Sequence, residues 1–302
     1  MSRPIRKTIL ITGASGFIGR ELVKKLYQDE HELFLLTHRS GLSGKHTVLK
    51  TLSELPQQTS QLDAVINLAG APIVGRRWTE ARKKVLWESR VDLTETLVET
   101  LAQLKSPPQI FLSGSAIGIY GDQGDEALDE SSTLKGGFGH RLCVAWEQAA
   151  LKAERLGSRV VLLRTGLVIG SGGGFLKPME WPFRLGLGGP IGLGRHWMSW
   201  IHRDDHIRLM CALLNDPHAR GPYNLTAPHP VTNTEFTATF ARIVRRPAFF
   251  RIPAKLLQWT LGEMAGLLLE STRVTPEKAL KAGFVFQYPE LEPALREALG
   301  ET

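Results

Sequence analysis

Gly13, Gly16 and Gly19 stand three residues apart in "LITGASGFIG" (residues 10–19). An apolar β-branched run precedes them and a helix-spaced stretch follows, which is the context that turns a glycine triplet into a diphosphate cradle. Gly13 permits the tight turn. Gly16 lets a diphosphate approach the backbone, and Gly19 lets the helix pack on the sheet. The unpaired N–H groups at the helix start, with the helix dipole, favour an anion there. A chain that binds NAD places an acid roughly 20 residues beyond this loop, on the ribose 2′-OH. Here the second strand ends "LLTHRS" (35–40), with His38, Arg39 and Ser40 and no acid. A guanidinium can hold a 2′-phosphate bidentately and stack on adenine. The expected cofactor is therefore NADP, with Arg39 and Ser40 on its 2′-phosphate.

Two further stretches carry chemistry. "QIFLSGSAIGIYG" (109–121) sets Ser115 just past an apolar strand, with Tyr120 five residues on. Ser115 is expected to polarise a substrate oxygen, and Tyr120 or water to act as the acid. "HRDDH" (202–206) has the residue types of a metal site. Its two acids are adjacent, however, and no further His or Cys stands at a ligand spacing, so no metal is expected. His202 is kept as a minor candidate near the cofactor.

The elements that must position these residues alternate. Strand-like runs at 7–12, 31–37, 63–70, 109–115 and 159–166 are separated by helical stripes at 16–28, 79–104 and 138–156. That alternation predicts an α/β fold, a Rossmann-type doubly wound parallel sheet with helices on both faces. Thr79 reads as the N-cap of one long helix running to Leu104. From residue 170 the texture changes to a Gly-, Trp- and Pro-rich stretch, followed by helices near 232–245, 253–269 and 275–282. The expected division is a nucleotide-binding domain over 1–168 and a smaller, loop-rich substrate-binding region over 169–302, with about 199–228 packing back on the first. Phe175, Phe183, Trp197 and Trp200 suit either a cover over an apolar substrate or anchors for that cover.

The 302 residues carry 42% hydrophobic and 22% charged side chains, enough for a real core. The net charge of +7 is scattered, with clusters at Arg76–Arg77, Arg82–Lys84 and Arg242–Arg246. No aromatic-and-basic recognition module accompanies it, so no nucleic acid is expected as partner. No apolar run approaches the ~18 residues of a membrane span, and none is expected. Cys143 and Cys211 in helical contexts argue for a reducing compartment. With an initial apolar run too short for a signal peptide, the expected address is cytoplasmic, although a leader-trimmed organellar protein would read the same. The long helix at 79–104 is open to pairing with a symmetry mate, so monomer or homodimer remains open.

With the glycine loop, "NLAG" (67–70), "LSGSAIGIYG" (112–121), "LLRTGLVIGSGGG" (162–174), "PFRLGLGGPIG" (182–192), "SWIHRDD" (199–205) and "RRPAFFRIPA" (245–254) in order, the sequence resembles the extended short-chain dehydrogenase/reductases. It is most similar to their atypical "epimerase family" branch of NADP-binding proteins. By that resemblance Gly13, Ser15, Gly16, Phe17, Ile18 and Gly19 would line the diphosphate. Leu68, Ala69 and Gly70 would pass the adenosine side, and Arg90 would reach the cofactor. Ser113 would also face it, and Thr165, Gly166 and Val168 would approach the nicotinamide. The superfamily catalyses with a Ser, a Tyr and a Lys four residues after the Tyr. Ser115 fits the serine. If Glu147 is the Glu that often follows the lysine by four, Cys143 holds the lysine position and Gly139 the tyrosine position. Neither can act as that pair does, which leaves Tyr120, His140 and Arg141 as candidates. The function expected is that of an NADP-dependent oxidoreductase or epimerase on a small carbonyl or alcohol compound. The alternative is an NADPH-holding sensor or partner-recruiting module without turnover.

Overall fold

The computed structural model describes residues 6–37 and 46–301. His38, Arg39 and Ser40 lie outside the described residues. We number the strands of the main sheet β1 (Thr8–Thr12), β2 (Glu32–Leu36), β3 (Thr47–Leu49), β4 (Ala64–Asn67), β5 (Ile110–Ala116), β6 (Arg159–Thr165) and β7 (Gly221–Leu225). Helices of eight residues or more are α1 (Phe17–Gln28), α2 (Glu80–Trp87), α3 (Leu93–Leu101), α4 (Phe138–Leu151), α5 (Lys177–Arg184), α6 (Arg203–Asn215), α7 (Asn233–Ile243), α8 (Ala254–Leu261) and α9 (Leu291–Leu299).

In space the strands run β7-β6-β5-β4-β1-β2-β3, every pair parallel. This is a Rossmann-like, doubly wound sheet. Side chains alternate across it with the two-residue period of a strand. Ile9, Ile11, Leu112, Val161 and Leu163 join a core beneath α1 and α6. Leu10, Phe111, Val160 and Leu162 join one beneath α3 and α4. Both faces are covered, so the strands read as continuous apolar runs.

The stretch expected as one helix over 79–104 is two. Thr79 does cap it, accepting the Arg82 backbone N–H at 3.2 Å. A π-helical turn, Glu88–Asp92, then separates α2 from α3. Such turns re-aim side chains within a helix. Here the turn places Ser89 and Arg90 against the loop after β4, where Ser89 Oγ accepts the Ala71 N–H and Arg90 Nη2 donates to the Ala71 carbonyl, both at 3.0 Å.

Residues 203–225 return to the sheet as α6 and β7. The rest of the C-terminal region has its own core, in which α7 and α9 enclose Trp200, Phe236, Phe240 and Leu295. The helix expected over 253–269 stops at Leu261, because Gly262 turns to φ +59°. Among the described residues no helix is long and apolar enough to cross a membrane.

Candidate functional site

The chain leaves β1 for one half of the sheet and β4 for the other, so a crevice opens beyond the carboxyl ends of these neighbours. Both walls of that crevice come from close backbone packing. Gly13 has φ +71°, and a Cβ on it would lie 2.6 Å from the Leu68 carbonyl oxygen. A Cβ on Gly19 would lie 2.3 Å from the Gly13 oxygen. Gly16 caps α1 with no side chain of its own and is exposed, with Ser15, Phe17 and Ile18 partly exposed beside it. Side chains at 13 and 19 would push the turn off the loop after β4 and off α1, so these glycines keep the turn tight while Gly16 leaves the helix start bare.

Beneath the loop after β4 runs a chain of buried hydrogen bonds. Thr12 Oγ1 donates to Asn67 Oδ1 at 2.6 Å and accepts the Ala69 N–H at 3.1 Å. Asn67 Nδ2 donates to Thr94 Oγ1 at 2.8 Å, and Trp146 Nε1 donates to the same oxygen at 3.1 Å. These bonds fix Leu68, Ala69 and Gly70. Arg90 lies along Gly70 so closely that a Cβ there would be 2.9 Å from its Cζ. Its guanidinium sits 5.4 Å from the Trp146 ring. Burial lowers the Arg90 pKa.

A cavity of about 200 Å³ continues from the carboxyl ends of β5 and β6. Its walls include Ala116–Gly118, Thr165–Leu167, Phe175 and Trp197–Ser199, with Leu267, Leu268 and Glu270 opposite. Gly139 and Cys143, the residues expected at the tyrosine and lysine positions, both line it. Burial pushes the Cys143 thiol up to about 12, so it is neither a thiolate nor a cation at neutral pH.

Several expectations for single residues are corrected by this arrangement. Tyr120 does not point into the cleft. It is fully buried, its hydroxyl donates to Asn224 Oδ1 at 2.7 Å, and it accepts from Arg164 Nη1 at 3.0 Å. Burial raises its pKa further from use as an acid, against the pull of Arg164. Ser115 is 4% exposed, and its one hydroxyl proton goes to Glu147 Oε1 at 2.7 Å. Glu147 in turn meets Arg164 through two bonds, at 2.9 and 3.0 Å. Burial works against the Arg164 charge, but Glu147 outweighs it and raises that pKa. Ser115, Glu147, Arg164, Tyr120 and Asn224 therefore form one polar network inside the fold. Ser113 is fully buried, 3.4 Å from Asn67 Nδ2, and serves the sheet. Val168 is buried in the first core.

His202 is no cleft residue either. Its Nδ1 accepts the Asp204 N–H at 3.2 Å as the N-cap of α6, and its Nε2 pairs with Glu297 Oε2 at 2.7 Å. Asp205 accepts the N–H groups of Gln287 and Tyr288 at 2.8 and 2.7 Å, so the "HRDDH" stretch docks the C-terminal segment. His140 Nδ1 donates to the Ile119 carbonyl at 2.7 Å, while Arg141 is exposed at the rim of a recess beside the cavity. The four aromatics divide. Phe183 and Trp200 are buried, Phe183 stacked on Phe240 at 4.3 Å, whereas Phe175 and Trp197 line the cleft.

Three titratable residues of the site were not singled out from sequence. His206 is fully buried beside Thr165, with Nε2 3.0 Å from Thr165 Oγ1, and burial alone lowers its pKa to about 3. It is neutral and holds the Thr165 hydroxyl at the cavity wall. His196 is lowered by burial, with Asp122 opposing. Glu270 is raised, first by burial and then by Asp122. The only sequence signal for Glu270 is a single acid closing the apolar run "LLLE" (267–270).

Comparison with known proteins agrees with this geometry. The NAD dependent epimerase/dehydratase family matches residues 9–226, and a domain of unknown function, DUF1731, matches residues 252–298. An epimerase family protein of Mycobacterium bovis is 37% identical over 291 residues, covering 95% of this chain and 96% of its own. A chloroplastic epimerase family protein of Arabidopsis thaliana is 36% identical, covering 96% of this chain and 86% of its own. The crystal structure of the human epimerase family protein SDR39U1 with NADPH superposes with a TM-score of 0.88 at 34% identity, covering 98% of this chain and all of that one. On the sheet order, the glycine cradle and these matches together, the chain belongs to the NAD dependent epimerase/dehydratase family, the extended short-chain dehydrogenase/reductases.

Proposed function

We propose that this protein binds NADP(H) and uses it to reduce or oxidise a small, largely apolar carbonyl or alcohol compound. The observation that carries this reading is the cavity at the carboxyl ends of β5 and β6, which has mostly apolar walls with a few polar groups. The residues present fit the cofactor. Gly13–Gly19 would hold the diphosphate, Leu68–Gly70 and Arg90 the adenosine side, Arg39 and Ser40 the 2′-phosphate. Thr165 and Gly166, which line the cavity, would meet the nicotinamide. Bound there, the group supplies reversible hydride transfer. The chain's part is to orient it, to exclude water with Phe175 and Trp197, and to provide a proton. The NADPH in the human relative supports the choice of nucleotide.

Calorimetry on the nucleotide-stripped protein tests the first half. NADPH should bind and NADH should bind more weakly, and Arg39→Glu should weaken NADPH far more than NADH. No uptake of either would overturn the reading. Consumption of NADPH with a panel of apolar aldehydes, ketones and diones tests the second half.

One observation favours a different use of the same site. Ser115 and Tyr120 are engaged inside the fold, and Gly139 and Cys143 offer no proton donor. A module that holds NADPH and signals its presence needs none of these. Tight NADPH retention with silence across the panel would favour this second reading.

A further inference from the structure

Gly139 leaves a bare stretch of cleft wall where the superfamily keeps its tyrosine, and a Cβ there would meet nothing closer than Trp78 Cη2 at 3.8 Å. The facing wall supplies a carboxyl. Glu270, at the end of the short helix Gly266–Leu269, lines the main cavity and also the recess that Gly118, Gly139 and Arg141 share. Its side chain folds over Gly266, where a Cβ would stand 2.9 Å from Oε1. The next residue anchors it: Ser271 Oγ donates to the Gly124 carbonyl at 2.7 Å and accepts the Trp197 N–H at 3.0 Å, and the Ser271 N–H reaches Asp122 Oδ1 at 3.3 Å.

The other carboxylates buried nearby are answered. Glu147 has Arg164, Asp205 has Arg208 and two backbone N–H groups, and Glu130 has the N–H groups of Asn224 and Lys278. The Glu270 backbone N–H donates to the Gly266 carbonyl at 2.8 Å, but among the described residues its carboxyl has neither a hydrogen bond nor an ion pair. A half-buried carboxyl left alone in an apolar cleft is a functional-site signal.

We propose that Glu270 is the general acid of this cleft, delivering from the C-terminal segment the proton that the tyrosine of the glycine-139 position delivers elsewhere in the superfamily. The inference rests on the NADP(H) reading above. With a carbonyl compound between Gly139 and Glu270, hydride from a reduced nicotinamide adds to the carbonyl carbon. The C=O π pair passes to the oxygen, and the Glu270 carboxyl gives that oxygen its proton. The products are the alcohol, the Glu270 carboxylate and the oxidised nicotinamide, and a proton taken up from bulk solvent by way of the Arg141 recess restores the carboxyl. The surroundings keep the acid form in place at higher pH than usual. Burial disfavours the carboxylate, and Asp122 adds a like charge. His196 from the strand side is held neutral by burial, and Arg141 and Glu263 bound the recess with opposite charges.

Two measurements test this. Carboxyl ¹³C NMR on cofactor-free, glutamate-labelled protein, with Glu270→Gln to assign the signal, should show Glu270 titrating above the ordinary glutamate range; titration at or below that range overturns the proposal. NADPH oxidation with phenanthrene-9,10-dione, a flat apolar dicarbonyl, should lose roughly 100-fold in kcat in Glu270→Gln and less in Glu270→Asp, the scale of general acid catalysis. NADPH affinity by calorimetry should stay within about two-fold, since the acid acts on the substrate and not on cofactor uptake. The wild-type kcat should fall as pH rises through the Glu270 titration, and that limb should vanish in Glu270→Gln. An unchanged kcat in Glu270→Gln overturns the role of Glu270 alone. A wild-type protein that binds NADPH yet leaves the dione untouched overturns it while the cofactor reading stands, and failure to bind NADPH overturns both.

Discussion

The two walls of the cleft treat polar groups in opposite ways. On the sheet side, at the carboxyl ends of β1, β4, β5 and β6, buried polar side chains answer one another: Thr12 with Asn67, Asn67 with Thr94, Ser115 with Glu147, Glu147 with Arg164. On the covering side the Glu270 carboxyl has no partner among the described residues, and α8 buries no residue at all, with Trp259 76% exposed. A satisfied network is costly to disturb and rigid, so it can hold a ligand cradle in shape. A wall with unmet polar groups is where a ligand can still gain contacts. The serine and tyrosine that the sequence marks for chemistry belong to the first kind of wall, and the unmarked glutamate to the second.

The comparison breaks most visibly at Glu147. Glu147→Ala leaves the Arg164 charge buried without its partner, and chemical denaturation should show a loss of about 3–5 kcal/mol. A loss below about 1 kcal/mol would mean that the sheet-side network does not hold its wall, since that is the range of exposed pairs. Gly19→Ala comes next. Its Cβ meets backbone, not a movable side chain, so stability should fall by roughly 2–3 kcal/mol, toward the upper end of overpacking costs. NADPH uptake should fall with it. Gly118→Ala is its counterpart in the open wall: a Cβ there meets nothing within 4 Å, and stability should hardly change.

His206 sharpens the contrast through pH. Its pKa is about 3 in the folded protein, against an ordinary value of 6.5. The unfolded chain therefore binds a proton below pH 6.5 that the folded one refuses until about pH 3. Stability is unaffected above pH 6.5 and falls as pH drops between those values, by roughly 2 kcal/mol at pH 5 relative to pH 7. Denaturation at the two pH values should show this loss, and His206→Asn should remove it. A smaller loss belongs to Thr79→Ala, which takes one cap from α2 on the exposed edge and should cost about 1 kcal/mol in the same assay.

Much of the sheet side was legible in the sequence. The apolar runs and the glycine spacing place β1, α1, β2, β5 and β6 to within a residue or two, β4 ends three residues before the expected 70, and Thr79 caps its helix as its type and position indicate. The π-helical turn at 88–92 was not legible, because the stretch has an ordinary helical composition. Tyr120 was misplaced for a clear reason. A tyrosine just past a strand end has no local preference for cleft or core, and its partner Asn224 is 104 residues away. Ser115 has the same difficulty, since its proton goes to a carboxylate 32 residues on. Glu270 leaves almost no trace, because the walls it faces come from residues 116–118 and 139.

The sequence alone determined what depends on near neighbours: the period of the strands, the turn that only glycine allows at Gly13, and the N–H groups that α1 leaves unpaired. Only the tertiary structure decided which acids and hydroxyls meet a partner and which meet the cleft. Whether a polar group is satisfied depends on atoms brought to it from distant parts of the chain, and no local pattern encodes that meeting.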